Sequence, residues 1–139
     1  CMEPALLHKR GGHEESLAAV SLIDSIANDK KDGHVVNIKN NGTLDFMADD
    51  DIVEIAAVIG KDGATPVKID KVENKHIIAL MRTIKAYEKY TVEGALTGNE
   101  QAVINGLLIH PLVGDWEKTT KCFEELKQAH KEFLPEFKF

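Results

Sequence analysis

Six histidines, 23 acidic residues and two cysteines supply the side chains that could bind a metal ion or act as acid, base or nucleophile. Their spacing does not favour any of these roles. The sequence contains no His-x-x-x-His pair, no Cys-x-x-Cys pair, no calcium-loop signature, and no Gly-x-Gly-x-x-Gly or P-loop sequence for a phosphate. We therefore expect no metal site built from this chain alone.

Four features combine residue types that could do chemistry. The run Asp49-Asp50-Asp51 has the residue types of an acid and base pair, but such a run is more typical of a solvated loop. Cys122 lies on a predicted helix without a histidine close in sequence, which favours a structural thiol. His110 precedes a proline and is expected to end a helix. Lys9-Arg10-Gly11-Gly12 has a charge suited to an anion, but a basic residue before a glycine turn is common.

The middle of the chain is its β-rich part. β-favouring residues at 35–38 and 52–59 predict two strands, and five β-branched residues in the second predict burial on both of its faces for part of its length. Gly60-Lys61-Asp62-Gly63 predicts a hairpin turn into a short third strand at about Thr65–Ile69, where Pro66 favours a sheet edge. We therefore expect a small, mostly antiparallel sheet.

A helical pattern precedes this sheet. Residues from about Glu14 to Asn28 predict a first helix, in which Leu17, Val20 and Ile23 recur at helical spacing. The polar cluster after it, which ends at Gly33, predicts the end of this helix and the start of the first strand.

Three more helices are predicted after the sheet. The longest runs from about Val72 to Leu96 and ends at Gly98. Asn99 is positioned to cap a shorter helix that finishes before His110, and Asp115 is positioned to cap the last one. The fold class is therefore α+β, a small antiparallel sheet packed with helices.

Length and charge limit the class of protein. A chain of 139 residues has the size of one domain, so we predict a single domain over residues 1–139. The formal net charge of −6, without clustered Lys and Arg, argues against nucleic acid as a partner.

The sequence also predicts where in the cell the protein is located and whether the chain is part of a longer polypeptide. The sequence has no apolar run of about 20 residues and no signal peptide, so no membrane partner is expected. Its two cysteines are far apart, which favours a reducing, cytoplasmic location. Because the chain begins Cys-Met-Glu-Pro, we expect it to be a segment of a longer polypeptide.

Six short motifs follow one another over about Pro4–Phe137. They are Leu6–Gly12, Val35–Gly42, Val53–Ile55, Gly60–Gly63, Tyr87–Glu93 and His110–Val113. In this order they resemble glycoside hydrolase family four, and within it most closely the 6-phospho-β-glucosidases.

The resemblance implies a larger enzyme whose N-terminal half is a Rossmann domain, with a C-terminal α+β domain like that of lactate and malate dehydrogenases. This chain matches only the C-terminal domain. The full-length enzyme would use NAD and a divalent metal, commonly manganese, to hydrolyse phosphorylated disaccharides. It would oxidise the sugar at C3, remove the proton at C2 and eliminate the aglycone, because a C3 ketone acidifies C2.

The resemblance also assigns roles to parts of the whole enzyme. The family's metal-binding Cys and His, its base tyrosine and its dinucleotide loop belong to sequence upstream of this chain. None of them is carried over to Cys122, His110 or Tyr87. We therefore predict that the isolated chain has no catalytic residue, binds neither cofactor and is inactive.

In this interpretation the domain helps to close the cleft for a phosphorylated sugar and to form a homo-oligomer interface. The candidate cleft residues combine close backbone approach with amide groups for hydroxyl recognition. They are Arg10, Gly11, Gly12, Asn40, Asn41 and Gly42. Turn formation alone explains the same residues equally well.

Two alternatives remain open. The chain has the features expected of a stand-alone interaction domain that kept the fold and lost the chemistry. It also has the fold expected of a hydroxy-acid dehydrogenase C-terminal domain, which should supply a catalytic His and a substrate Arg, and the motifs present no such pair.

Overall fold

The computed structural model describes residues 15–134, with side chains from Ser16 onward, and divides into two compact units, Cys1–Lys71 and Val72–Phe139. The first unit contains helix α1 (Glu15–Ala27) and strands β1 (Asp32–Lys39), β2 (Ile52–Gly60) and β3 (Gly63–Pro66). The second contains helices α2 (Lys75–Thr97), α3 (Glu100–Ile109) and α4 (Trp116–Ala129). These elements confirm the α+β class, and the single domain over residues 1–139 stays a prediction.

The three strands form one antiparallel sheet in the order β1-β2-β3. Along the central strand, buried and exposed side chains alternate strictly. The buried ones are Val53, Ile55, Ala57 and Ile59. Ile52 and Val58 point to the other face and are exposed, so the predicted burial on both faces is wrong. An antiparallel sheet commonly packs one face and solvates the other, and β-branched composition alone does not distinguish the two arrangements.

The hairpin between β2 and β3 is confirmed, but the third strand lies earlier than predicted. Gly60 pairs directly with Gly63 across a two-residue turn, so pairing resumes at Gly63 rather than at Thr65. The strand ends at Pro66 instead of Ile69. Since β2 is the only described strand that pairs with β3, the predicted edge position of Pro66 is confirmed.

Helix α1 has the predicted extent, but its most buried residue is polar. Ser25 is fully buried and its Oγ lies 2.9 Å from Nε2 of His34 on β1. Leu17, Val20 and Ile23 are instead exposed. Because this helix is apolar on nearly every side, spacing alone could not tell which side meets the sheet.

Local capping chemistry sets the helix ends of the second unit. The α2 helix starts at Lys75, three residues after the predicted start, because Asn74 Oδ1 accepts hydrogen bonds from the first-turn amides. It ends at Gly98, whose φ of 71° is left-handed. The predicted caps are confirmed as well, since Asn99 caps α3 and Asp115 caps α4.

Helices α2 and α3 approach closely at two glycines. A Cβ added to Gly94 would lie 2.3 Å from Cγ2 of Val103, and one added to Gly106 would lie 3.1 Å from Cβ of Tyr90. Glycine at these positions therefore sets the distance between the two helices. In the part of the chain that the structure describes, no helix is long and apolar enough to cross a membrane.

Substitution Gly94→Ala should lower the free energy of unfolding by about 1–3 kcal/mol, because the added methyl group overpacks the α2–α3 contact. Gly94→Ala combined with Val103→Ala should be more stable than the sum of the two single effects, since the second change removes the clashing methyl. Denaturant unfolding measures both. Gly33→Ala is the control, because its Cβ would meet no atom within 4 Å. Additive effects of Gly94→Ala and Val103→Ala would contradict the packing account.

Thr119 on α4 is fully buried, and its hydroxyl oxygen has no hydrogen-bond partner among the described residues. Thr119→Val should raise the free energy of unfolding by about 1 kcal/mol, because it removes a buried, unsatisfied hydroxyl at nearly constant shape. The matched control is Thr120→Val, which loses the bond from Oγ1 to the Trp116 carbonyl, 3.0 Å long, and should not stabilise. A lower melting temperature for Thr119→Val would show that its hydroxyl is satisfied.

Candidate functional site

Residues 40–51, between β1 and β2, form a closed loop. Its two ends meet, because the backbone N–H of Asn40 donates to the Asp51 carbonyl at 2.8 Å. The backbone N–H of Asn41 also donates to the Asp49 carbonyl, at 3.0 Å. A compact loop of this length whose ends lie together is an Ω-loop, a type that is frequently functional. The loop carries three of the six predicted cleft residues.

Asn40 holds this loop together from inside. Its side chain is fully buried, and Nδ2 lies 3.0 Å from the Leu44 carbonyl, 3.1 Å from the Met47 carbonyl and 3.2 Å from the Ala48 carbonyl. Its Oδ1 accepts from Leu44 N at 2.8 Å. The amide group is thus fully used within the loop, so Asn40 supports the candidate site instead of facing a ligand.

Asn41 and Gly42 form the exposed turn of the loop. Both have left-handed backbone, with φ of 42° and 79°, and Thr43 N donates to the Asn40 carbonyl at 2.8 Å across them. Asparagine and glycine adopt this conformation at the lowest cost. The Asn41 side chain is therefore presented to solvent on a backbone fixed from both sides.

The loop is negatively charged. Asp45, Asp49 and Asp50 are exposed, whereas Asp51 is buried and its Oδ2 accepts from Ala48 N at 3.0 Å. The run at 49–51 therefore closes the loop, and its interpretation as a solvated loop holds for Asp49 and Asp50 but not for the buried Asp51. Like charges disfavour an anion at this surface, whereas the amide of Asn41 can bond neutral hydroxyl groups.

The six predicted cleft residues thus fall into three groups. Arg10, Gly11 and Gly12 lie outside the described residues. Asn40 is the loop's internal support, and Asn41 with Gly42 forms its exposed tip. The sequence signal was the Asn-Asn-Gly turn itself, and nothing in it indicated which asparagine would be buried.

A second cluster joins α1 to β1 by residue types that resemble a hydrolytic triad. Ser25 Oγ lies 2.9 Å from His34 Nε2 and 3.4 Å from Asp32 Oδ2. The serine is fully buried, and the carboxylate contacts the serine and not the histidine. A nucleophile must reach its substrate, and the acid of a triad orients the histidine. The cluster therefore fastens the helix to the strand.

In the second unit two of the sequence motifs meet. The rings of Tyr87 on α2 and His110 contact edge to face, with centroids 4.7 Å apart. His110 is the C-cap of α3, and its Nδ1 accepts from Leu112 N at 3.2 Å. This confirms the prediction that His110 ends a helix.

The resolved pKa shifts belong to ion pairs. The Lys30 side chain, followed by Asn28, lowers the pKa of Asp24, and Asp24 in turn raises the pKa of Lys30. Glu124, followed by Glu100, raises the pKa of Lys127. The Asp24 contribution to stability is lost as the pH falls below the ordinary aspartate range. The two lysine contributions are lost as the pH rises beyond the ordinary lysine range. These shifts widen the charged range of each group, so they create no acid or base that titrates near neutral pH.

Within the described residues, no group of three or more His, Cys, Asp or Glu side chains is arranged to hold a metal ion. Cys122 is an exposed free cysteine, so the interpretation as a structural thiol is wrong. Helical spacing placed this residue beside the buried Phe123, but the side chain itself points outward.

Comparison with known proteins gives relatives that are glucosidases of phosphorylated sugars, named for the β-anomer in some cases and for the α-anomer in others. The chain is 37% identical over 136 residues to the probable 6-phospho-beta-glucosidase of Bacillus subtilis strain 168, covering 98% of this chain and 30% of that protein. It is 36% identical over 137 residues to the 6-phospho-beta-glucosidase of Escherichia coli K12, covering 98% of this chain and 30% of that protein. The chain thus spans about 30% of the length of these relatives.

Solved structures agree with the sequence relatives. A 6-phospho-beta glucosidase from Thermotoga maritima, crystallised with NAD and glucose-6-phosphate, superposes with a TM-score of 0.84 at 31% identity, over 94% of this chain and 32% of that one. The same enzyme with manganese, NAD+ and glucose-6-phosphate gives 0.85 at 30% identity, over the same 94% and 32%. A family model described as the Family 4 glycosyl hydrolase C-terminal domain matches residues 1–113. The chain therefore belongs to family 4 of the glycosyl hydrolases, as its C-terminal domain.

Proposed function

We propose that this chain is the C-terminal domain of an NAD- and divalent-metal-dependent 6-phospho-β-glucosidase. The observation that carries the proposal is 36–37% identity over 98% of the chain to two proteins of that name. The family assignment also separates the chain from the hydroxy-acid dehydrogenases, which share the predicted fold.

The chemistry is proposed to reside in the preceding Rossmann domain of the same polypeptide. NAD and manganese are proposed to bind in that domain, since the Thermotoga maritima relative was crystallised with both. The chain's own contribution is a binding surface at the sugar cleft, and the isolated chain is expected to be inactive.

The loop at residues 40–51 is proposed to contact the hydroxyl groups of the sugar. Asn41 supports this role because it is exposed on a rigid turn, and neutral amide groups suit hydroxyl recognition. The exposed carboxylates of Asp45, Asp49 and Asp50 argue against the phosphate at this loop. Of the other predicted cleft residues, Arg10 has the charge that suits the phosphate, with Gly11 and Gly12 beside it.

Two further proposals concern the whole protein. A homo-oligomer is supported by exposed large apolar side chains in the second unit, among them Leu96, Leu112 and Phe133. A cytoplasmic location is supported by the exposed free thiol of Cys122, which fits a reducing compartment.

The direct test of the function is an assay of the full-length protein with chromogenic 6-phospho-β- and 6-phospho-α-glucosides. Hydrolysis of the β-anomer is expected, dependent on both added NAD and Mn²⁺ and lost with a chelator. The 139-residue chain alone, assayed in parallel, should show no hydrolysis. Activity of the isolated chain, or cofactor-independent activity of the full-length protein, would contradict the proposal.

Substitution Asn41→Ala in the full-length protein should raise KM for the 6-phospho-β-glucoside by about two- to tenfold, the loss of one neutral hydrogen bond, while leaving kcat similar. Inhibition by inorganic phosphate should not change, since the loop is not expected to hold the phosphate. Asn37→Ala, an exposed asparagine on β1, is the matched control. An unchanged KM for Asn41→Ala would remove the loop from the cleft.

Asn40→Ala tests whether the Asn40 side chain holds the same loop together, with the stability of the protein as the measurement. It should lower the free energy of unfolding by about 2–4 kcal/mol, because it deletes the buried amide and leaves carbonyls without donors. Asn41→Gly keeps the left-handed backbone accessible and should change stability little. Equal effects of the two substitutions on the melting temperature would contradict the assignment of Asn40 as the internal support.

A further inference from the structure

The sequence contains two Asn-Gly pairs, Asn41-Gly42 in the loop at residues 40–51 and Asn105-Gly106 in helix α3. Asparagine is among the thermally labile residues. It is most labile before glycine, because a residue without a side chain leaves its backbone nitrogen open to the asparagine side chain. The two pairs therefore have similar intrinsic reactivity, and their surroundings decide whether either of them reacts in the folded protein.

We propose that Asn41 is a site of spontaneous deamidation in the folded protein. The backbone nitrogen of Gly42 bonds to Cγ of Asn41, and the side-chain nitrogen leaves as ammonia with the proton of that backbone N–H. A cyclic imide remains. Water then opens the imide at either of its carbonyl groups, which yields aspartate or isoaspartate. The overall reaction consumes water, releases ammonia and changes no oxidation state.

Asn41-Gly42 is accessible to this reaction. Both residues are exposed, and among the described residues no hydrogen bond engages the Asn41 side chain or the Gly42 backbone N–H. Ring closure requires rotation about the Cα–C bond of Asn41, because its left-handed backbone directs the next nitrogen away from the side chain. The turn must therefore open first, and an exposed loop opens at a much smaller free energy than a packed helix.

Asn105-Gly106 is protected against the same reaction. Gly106 is a buried residue inside α3, where each backbone N–H donates to the carbonyl four residues earlier. Gln101 Nε2 also donates to Asn105 Oδ1 at 2.9 Å. A Cβ added at Gly106 would lie 3.1 Å from Cβ of Tyr90, so the backbone has little space to rearrange. Ring closure at this pair therefore requires α3 to unfold.

The consequence for function rests on the proposed role of the loop in sugar recognition. Deamidation replaces the neutral amide of Asn41 by a carboxylate on a loop that already exposes Asp45, Asp49 and Asp50. A carboxylate accepts hydrogen bonds from hydroxyl groups but donates none. Isoaspartate also lengthens the backbone by a methylene group, which changes the geometry of the turn. The modified loop should therefore bind the phosphorylated sugar more weakly, and the added negative charge acts in the same direction.

The test is peptide mapping of the full-length protein by mass spectrometry during incubation at mildly alkaline pH. The peptide with Asn41 should gain the mass of an amide-to-acid conversion at least about tenfold faster than the peptide with Asn105, because only the loop opens readily. In denaturant the two peptides should convert at similar rates. Equal rates in the folded protein would overturn the proposal, since the reaction would then follow global unfolding. Conversion of Asn41 only in denaturant would overturn it as well.

Two variants test whether local opening controls the rate. Asn40→Ala removes the side chain that holds the loop together, so it should speed the reaction of Asn41 by about threefold or more and leave Asn105 unchanged. Gly94→Ala, which overpacks the contact between α2 and α3, should speed the reaction of Asn105 and leave Asn41 unchanged. Equal acceleration of both peptides by either variant would overturn local opening as the controlling step.

Deamidated protein has an additional negative charge and can be separated by anion exchange. Its KM for the 6-phospho-β-glucoside should be about two- to tenfold higher than that of the unmodified protein. An unchanged KM would overturn the predicted effect on sugar binding. The mass measurement does not depend on turnover, so a failure of the glucosidase assay and a failure of the proposed modification give different results.

Discussion

The buried amide of Asn40 is the interaction on which the candidate site depends. Twelve residues connect β1 to β2, and three of their carbonyl groups, those of Leu44, Met47 and Ala48, converge on one side chain that has no contact with solvent. An uncompensated carbonyl in this position would cost more than the hydrogen bond itself contributes, so the loop has one favourable arrangement. That arrangement holds the exposed turn at Asn41 and Gly42 in place. A rigid loop loses little entropy when it meets a ligand, which is the property expected of a binding element.

The first unit buries only part of its apolar surface, which is typical of a domain that packs against a partner. Its antiparallel sheet buries one face, and its helix buries only the side that carries Ser25. The remaining apolar surface of α1 has no cover within the described residues of this unit. The described residues of the chain carry no group of three or more His, Cys, Asp or Glu side chains arranged to hold a metal ion, and its candidate binding groups lie on the loop at residues 40–51.

Much of the fold follows from local chemistry and could be predicted. Gly98, Asn99 and Asp115 act where their conformational or capping preferences placed them, and the Gly60–Gly63 turn forms the predicted hairpin. The predictions that were wrong concern features that are set by contacts between residues distant in sequence. The two faces of β2 have the same kinds of side chain, so composition could not show that only one is covered.

The candidate site could likewise be predicted only in part from the sequence. The Asn-Asn-Gly sequence predicted a turn with left-handed backbone, and that turn is present. The division of roles between Asn40 and Asn41 follows from carbonyls at positions 44 to 48, whose convergence no spacing rule describes. Likewise Thr119 is buried because of helix packing, although threonine is usually solvated.

We propose that this domain takes part in sugar recognition through the loop at residues 40–51. Hydrogen exchange of the full-length protein, with NAD and Mn²⁺ present, measures this directly when it is compared with and without glucose 6-phosphate. The account predicts slower exchange of the amides in this loop on binding, since a ligand that contacts the loop suppresses its opening, and no change in α4. Exchange in the loop that is unaffected by saturating glucose 6-phosphate, while amides elsewhere in the protein slow down, would contradict it.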